Sequence, residues 1–178
     1  MGPVATQERQ VLPDRLPPWV GHHVRCVDPA GAVLPPYYPD TPIVRNDWAR
    51  YFDLITAMDY QAGDVLKQLE EDQLAGDTIV FFFSDHGLKL PRHKQFCYDG
   101  GLHVPFIVSW PAGPRSLGGE GTVREDLVSG LDIAATSLAL AGIDIPGTME
   151  SRDLFARGFE PREFVISARD RCDYTIDR

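Results

Sequence analysis

Apolar residues recur at steps of three and four from Trp48 onward, through Phe52, Ile55, Met58, Ala62, Val65 and Leu69. That spacing predicts a helix with one apolar stripe. Asn46 or Asp47 is placed to cap it, and Gly76 to end it in the left-handed conformation. The pattern then changes. Thr78-Ile79-Val80-Phe81-Phe82-Phe83 is an unbroken β-branched and aromatic run, which predicts a strand buried on both faces of a parallel sheet. A loop from Gly87 to Val104 leads to a second run, Phe106-Ile107-Val108-Ser109-Trp110, stopped by Pro111 and Gly113. After a glycine-rich loop (Gly118, Gly119, Gly121), a short strand is predicted at Leu127-Val128-Ser129. A helix that Asp132 caps and Gly142 closes follows, and then a strand at Phe164-Val165-Ile166-Ser167. Helix and strand alternate, so the expected class is α/β.

Residues 1–45 carry nine prolines, from Pro3 to Pro42. Proline fixes φ and cannot donate to a ladder, so this stretch is expected to be an extended lead-in, with residues 46–178 forming the folded domain. At 178 residues and 43% hydrophobic the chain has enough apolar surface for a core. A formal net charge of −9 argues against a nucleic-acid partner, and any anionic ligand would need a local basic site. No apolar run is long enough to span a bilayer, and no leader pattern begins at Met1. Cys26, Cys97 and Cys172 form neither a disulfide framework nor a zinc knuckle. His22 and His23 have no partner legible in the sequence.

The chemistry concentrates where the first strand ends. Ligands of open α/β sheets bind beyond the carboxyl ends of the strands, and Ser84-Asp85-His86-Gly87 falls there. Asp85 offers a carboxylate and His86 an imidazole, on a turn that Gly87 permits. This triplet suits a metal site, and equally a turn in which Asp85 caps backbone amides. The loop behind it brings Lys89, Arg92, His93 and Lys94 into an otherwise acidic chain. Cations beside a metal-binding carboxylate suit the ester of a tetrahedral oxyanion; a solvated basic loop is the alternative. His103, directly before the second strand, is a further candidate, although a structural role suits it as well.

Three segments together resemble the type I sulfatases of the alkaline-phosphatase superfamily. They are Asp77 through Gly87; Lys94-Gln95-Phe96-Cys97-Tyr98-Asp99-Gly100-Gly101 leading to Val104 through Pro111; and Gly130-Leu131-Asp132 through Gly142. The likeness extends upstream to Pro35-Pro36-Tyr37-Tyr38-Pro39-Asp40-Thr41-Pro42 and is closest to the sulfamidase-like branch. It implies an alkaline-phosphatase-like sandwich with a mostly parallel central sheet, present here in part. It assigns Asp85 and His86 to the metal and Lys94 to the sulfate and the leaving oxygen; Lys89, Arg92 and His103 are candidate substrate contacts on position alone. The implied metal is calcium, with zinc or manganese as alternatives because an imidazole stands where many members have asparagine. The implied substrate is a small-molecule or carbohydrate sulfate ester, and the implied location periplasmic or secreted.

The family's nucleophile is a formylglycine made from cysteine in a Cys-x-Pro/Ala-x-Arg motif. None of the three cysteines is followed by that pattern. The chain is therefore expected to be a fragment, cut at both ends and inactive alone, with formylglycine in an upstream half. Two rivals are a phosphate or phosphonate ester hydrolase of the same superfamily and a non-catalytic binding module that keeps the fold.

Overall fold

The computed structural model describes residues 26–113 and 121–169. The histidine pair His22-His23, most of the proline-rich lead-in, Gly118, Gly119 and Cys172 lie outside them. The chain forms two compact units, one ending at Leu74 and the other starting at Ala75.

In the first unit a 3-10 turn at Pro29–Gly31 precedes α1, Pro42–Glu71. The helix starts earlier than its apolar stripe suggests. Thr41 is the N-cap, its hydroxyl accepting from the Val44 amide, and Pro42 occupies the first turn, where its missing N–H costs nothing. Asn46 and Asp47 lie inside the helix instead. Arg45 ties the lead-in down: its guanidinium donates to the carbonyls of Ala30 (2.9 Å) and Ala32 (3.1 Å) and pairs with Asp40. The Val27 amide donates to Asp53 (2.7 Å). Trp48 is buried under Tyr38, with an edge-to-face contact of 5.4 Å. Only this end of the stripe is covered. Ile55, Met58 and Val65 are exposed.

The far end of α1 also differs from expectation. The left-handed residue is Gln73 (φ 60°) rather than Gly76. The Leu74 amide donates to the Leu69 carbonyl and the Gln73 amide to Glu70. This is the paired 6→1 and 5→2 pattern of a Schellman ending, and it closes the helix three residues early.

The second unit holds β1 (Val80–Phe83), α2 (Asp99–Leu102), β2 (Phe106–Ser109) and α3 (Asp132–Leu140). The strands pair antiparallel, Val80 opposite Ser109 and Phe83 opposite Phe106. The α/β class stands; the pairing differs from the mostly parallel sheet expected. A parallel return needs a crossover, commonly a helix laid across the sheet face. Here residues 84–105 fold into a compact loop instead, and the chain comes straight back. Phe83 is exposed, so β1 is not covered on both faces. The predicted strand at 127–129 is reduced to an isolated bridge, Leu127 to Arg162. Residues 164–167 form no strand, and Phe164 and Ile166 are exposed.

Asp132 is the first residue of α3 and not its N-cap. It is fully buried. Its carboxylate accepts from the amides of Ser129 and Arg152 (2.8 Å each) and takes both arms of Arg162 (2.5 and 2.6 Å). Buried Thr136, one turn on, accepts from the Leu154 amide (3.0 Å). Gly142 closes α3 with φ 69°, as the sequence predicts. No helix among the described residues is long and apolar enough to cross a membrane.

Candidate functional site

The Ser84 amide donates to the Pro105 carbonyl (3.3 Å), extending the ladder one step beyond β1. There the backbone turns, because the Ser84 hydroxyl donates to the His86 carbonyl (2.6 Å). Short hydroxyl-to-backbone bonds of this kind stabilise turns locally. Sequence reading missed Ser84, although a serine two residues before the histidine is the signal that could have found it.

His86 Nδ1 lies 2.7 Å from the Gly87 carbonyl. A carbonyl only accepts, so Nδ1 donates to it and Nε2 is left as the outward-facing ring nitrogen. Nε2 is 3.4 Å from Asp85 Oδ1. A histidine whose second ring nitrogen is held by a backbone carbonyl has the arrangement common to metal ligands. The spacing also fits. Two donors about 2.4 Å from calcium at a right angle, or about 2.1 Å from zinc at the tetrahedral angle, lie about 3.4 Å apart. The Asp85 side chain is 80% exposed and accepts no backbone amide among the described residues, where the capping alternative therefore finds no support. Among the described residues no third histidine, cysteine or carboxylate joins the pair in a metal-binding cluster.

Glycines hold the loop to this turn by close approach. A Cβ on Gly87 would stand 2.0 Å from the Gly100 carbonyl oxygen, and one on Gly101 2.1 Å from that of Phe96. Gly87 is needed for this contact, not for a left-handed φ, which it does not adopt. His93 explains the third glycine. Its ring is buried, Nδ1 donates to the Gly100 carbonyl (2.9 Å), and a Cβ on Gly100 would meet that same ring. His93 is thus a structural pin rather than part of a cationic patch. In the Tyr98-Asp99-Gly100-Gly101 segment Tyr98 is the N-cap of α2 and the other three residues begin it.

The remaining candidates separate. The Lys94 amide donates to the Leu88 carbonyl (3.0 Å), which returns its backbone to the residues following His86, and its side chain is half-buried. Arg92 and Gln95 bracket it, both with positive φ (69° and 68°). Non-glycine residues there store strain of order 1 kcal/mol, a frequent property of functional loops. The Arg92 guanidinium lies 4.7 Å over the Tyr98 ring. His103 stands apart, exposed at the end of α2 and 3.6 Å from exposed Asp99. Lys89 is exposed. Cys97 is exposed with a free thiol, as is Cys26.

The family model described as Sulfatase matches residues 14–143. The chain is 37% identical over 145 residues to an ulvan-active sulfatase of Formosa agariphila, a match covering 81% of this chain and 24% of that protein. It is 33% identical over 132 residues to the human N-sulphoglucosamine sulphohydrolase, covering 74% and 25%. With the human N-acetylgalactosamine-6-sulfatase it shares 32% over 125 residues, covering 62% and 23%. The chain thus spans about a quarter of the length of these relatives.

Proposed function

The chain belongs to the sulfatase family, and from that premise we propose that it supplies the metal-and-lysine part of a centre that hydrolyses sulfate esters of carbohydrates. The observation that carries this reading is the pair formed by His86 Nε2 and the Asp85 carboxylate, 3.4 Å apart on a turn locked from both sides.

Asp85 and His86 would hold a divalent cation, calcium by preference, with zinc or manganese as the alternatives that an imidazole donor favours. When bound, the cation neutralises charge on the ester oxygens. The residues of the chain do the positioning. Ser84 fixes the turn, the Gly87 carbonyl fixes the tautomer of His86, and the contact of Gly87 with Gly100 sets the loop against the turn. Lys94 brings one positive charge to the oxygens that become negative as the ester bond breaks, where a pre-positioned cation stabilises the developing charge. The carbohydrate substrate is supported by the names of the relatives, which include enzymes for N-sulphoglucosamine and N-acetylgalactosamine-6-sulfate.

Cys26, Cys97 and Cys172 all lack the following residues of the nucleophile motif. A centre without its nucleophile retains only positioning and electrostatics, so the 178-residue chain alone should not turn over a generic aryl sulfate.

Metal titration followed by calorimetry tests the assignment. Calcium or zinc should bind the chain, and Asp85→Asn or His86→Ala should weaken that binding roughly tenfold or more. Undiminished binding by both variants would remove these residues from the site. Zinc binding that far exceeds calcium binding, together with preference for an aryl phosphate in a protein completed with the nucleophile segment, would favour the phosphoesterase alternative.

A further inference from the structure

The Gly100 carbonyl is held from two sides. A Cβ on Gly87 would stand 2.0 Å from its oxygen, so the backbone next to His86 rests directly against it. From the other side the buried His93 ring donates from Nδ1 to the same oxygen (2.9 Å). The short helix α2 does not use this carbonyl itself, because the Val104 amide donates to Leu102 instead (3.1 Å). A backbone acceptor withdrawn from water needs a donor, and His93 supplies one. A leucine could fill the space with no polar atom to satisfy, so what the imidazole adds there is a directed bond.

His93 directly precedes Lys94, and the two residues are tied to the metal turn at successive points. The Lys94 amide donates to the Leu88 carbonyl (3.0 Å), and His93 reaches Gly87 through the Gly100 carbonyl. One bond alone would leave a pivot. A second on the adjoining residue fixes direction as well as distance. The flanking residues Arg92 and Gln95 hold φ of 69° and 68°. Such conformations persist only where the surroundings over-determine them, and the His93 bond falls between the two. We infer that His93 is a positioning residue: through the Gly100 carbonyl it sets the approach of Lys94 to the Asp85 and His86 pair. This rests on the metal-and-lysine centre proposed above and deepens it, because the reach of the lysine then depends on a buried neutral contact rather than on further cations of the loop.

Two calorimetric titrations of the 178-residue chain test this, one with calcium alone and one with inorganic sulfate added to the calcium-loaded chain. His93→Leu should keep its calcium affinity, since Ser84 and the Gly87 carbonyl hold the metal turn. Its sulfate affinity should fall about tenfold, the scale of one misdirected hydrogen bond to a charged group. His93→Asn places an amide donor near the position of Nδ1 and should recover most of the loss; His93→Gln, whose amide lies farther out, should not. Gly100→Ala should weaken sulfate binding in the wild-type background, where its Cβ would stand 2.5 Å from His93 Nδ1, and add little once His93→Ala has removed the ring. In the metal-free 15N-labelled chain, the amide resonances of Gly87 and Lys94 should shift in His93→Leu and return in His93→Asn. Wild-type sulfate affinity in His93→Leu overturns the inference, as does asparagine that behaves like leucine. Calcium and sulfate binding lost together also overturns it, because that marks a collapsed loop. If Lys94→Ala binds sulfate as wild type does, the proposed centre itself falls, whatever the His93 variants show.

Discussion

Removing the Asp132 carboxylate would leave the Arg162 side chain, 12% exposed, with a long bond to the Glu150 carbonyl (3.4 Å) in place of its two short ones, and would take the acceptor from the amides of Ser129 and Arg152. Burial by itself raises the Asp132 pKa. The hydrogen bonds from Arg162, the two amides and the Arg162 charge outweigh it and hold the carboxyl below its ordinary value. The unfolded chain, with an aspartate pKa of about 3.9, therefore binds more protons in acid than the folded one. The stabilisation is complete above the unfolded pKa and is lost as pH falls through the lower folded one. Asp132→Asn should cost about 3 kcal/mol or more at pH 7, since it leaves a buried charge unpaired. Its urea midpoint should then decline less than that of wild type between pH 5 and pH 2.5. Equal acid slopes would show that another carboxylate governs acid stability. The sequence marked Asp132 as a helix cap because it precedes an apolar run. Its partners Arg152 and Arg162 lie 20 and 30 residues away, and no local spacing announces them.

Two positions of α1 and its ending depart from what a helix favours. Gly63 lies inside the helix with nothing within 4 Å of the place a Cβ would take, so it contributes only backbone freedom to the unfolded chain. Gly63→Ala should raise stability by about 1 kcal/mol. Gln73 holds the left-handed position that glycine favours, and Gln73→Gly should relieve roughly 1 kcal/mol. Thermal unfolding of each variant decides both; a lower Tm for either would mean that its backbone is not the limiting feature there. The stripe from Trp48 to Leu69 was enough to place a helix. Its ends were misplaced because capping competes over several residues: Thr41 with Pro42 is a stronger start than Asn46, and the loop bonds of Leu74 close the helix before Gly76.

Across the described residues the buried apolar side chains are few: Ala32, Trp48, Ala49, Ala57, Ala135 and Leu154. Ile43, Val65, Ile107, Leu131, Phe164 and Ile166 are each more than half exposed. Exposed apolar surface on this scale marks faces that bind something else. The 178-residue chain should therefore bind an apolar reporter dye such as ANS and associate at micromolar concentrations. Absence of both dye enhancement and light scattering would show that these faces are covered in solution.

The sequence by itself determined the α/β class, the long helix, the two strands around the turn at residues 84–87, the closure at Gly142 and the candidate residues Asp85, His86 and Lys94. Each depends on periodicity or on neighbours within a few positions, which the order of residues specifies directly. Tertiary structure alone decided the antiparallel pairing, the approach of His86 Nε2 to Asp85, the three glycines required by close approach, and the placing of His93 as a buried pin. It also decided that Arg169, distant in sequence, stands on Phe96. These follow from where a folded loop returns, which depends on packing and hydrogen bonds between segments that no local spacing encodes.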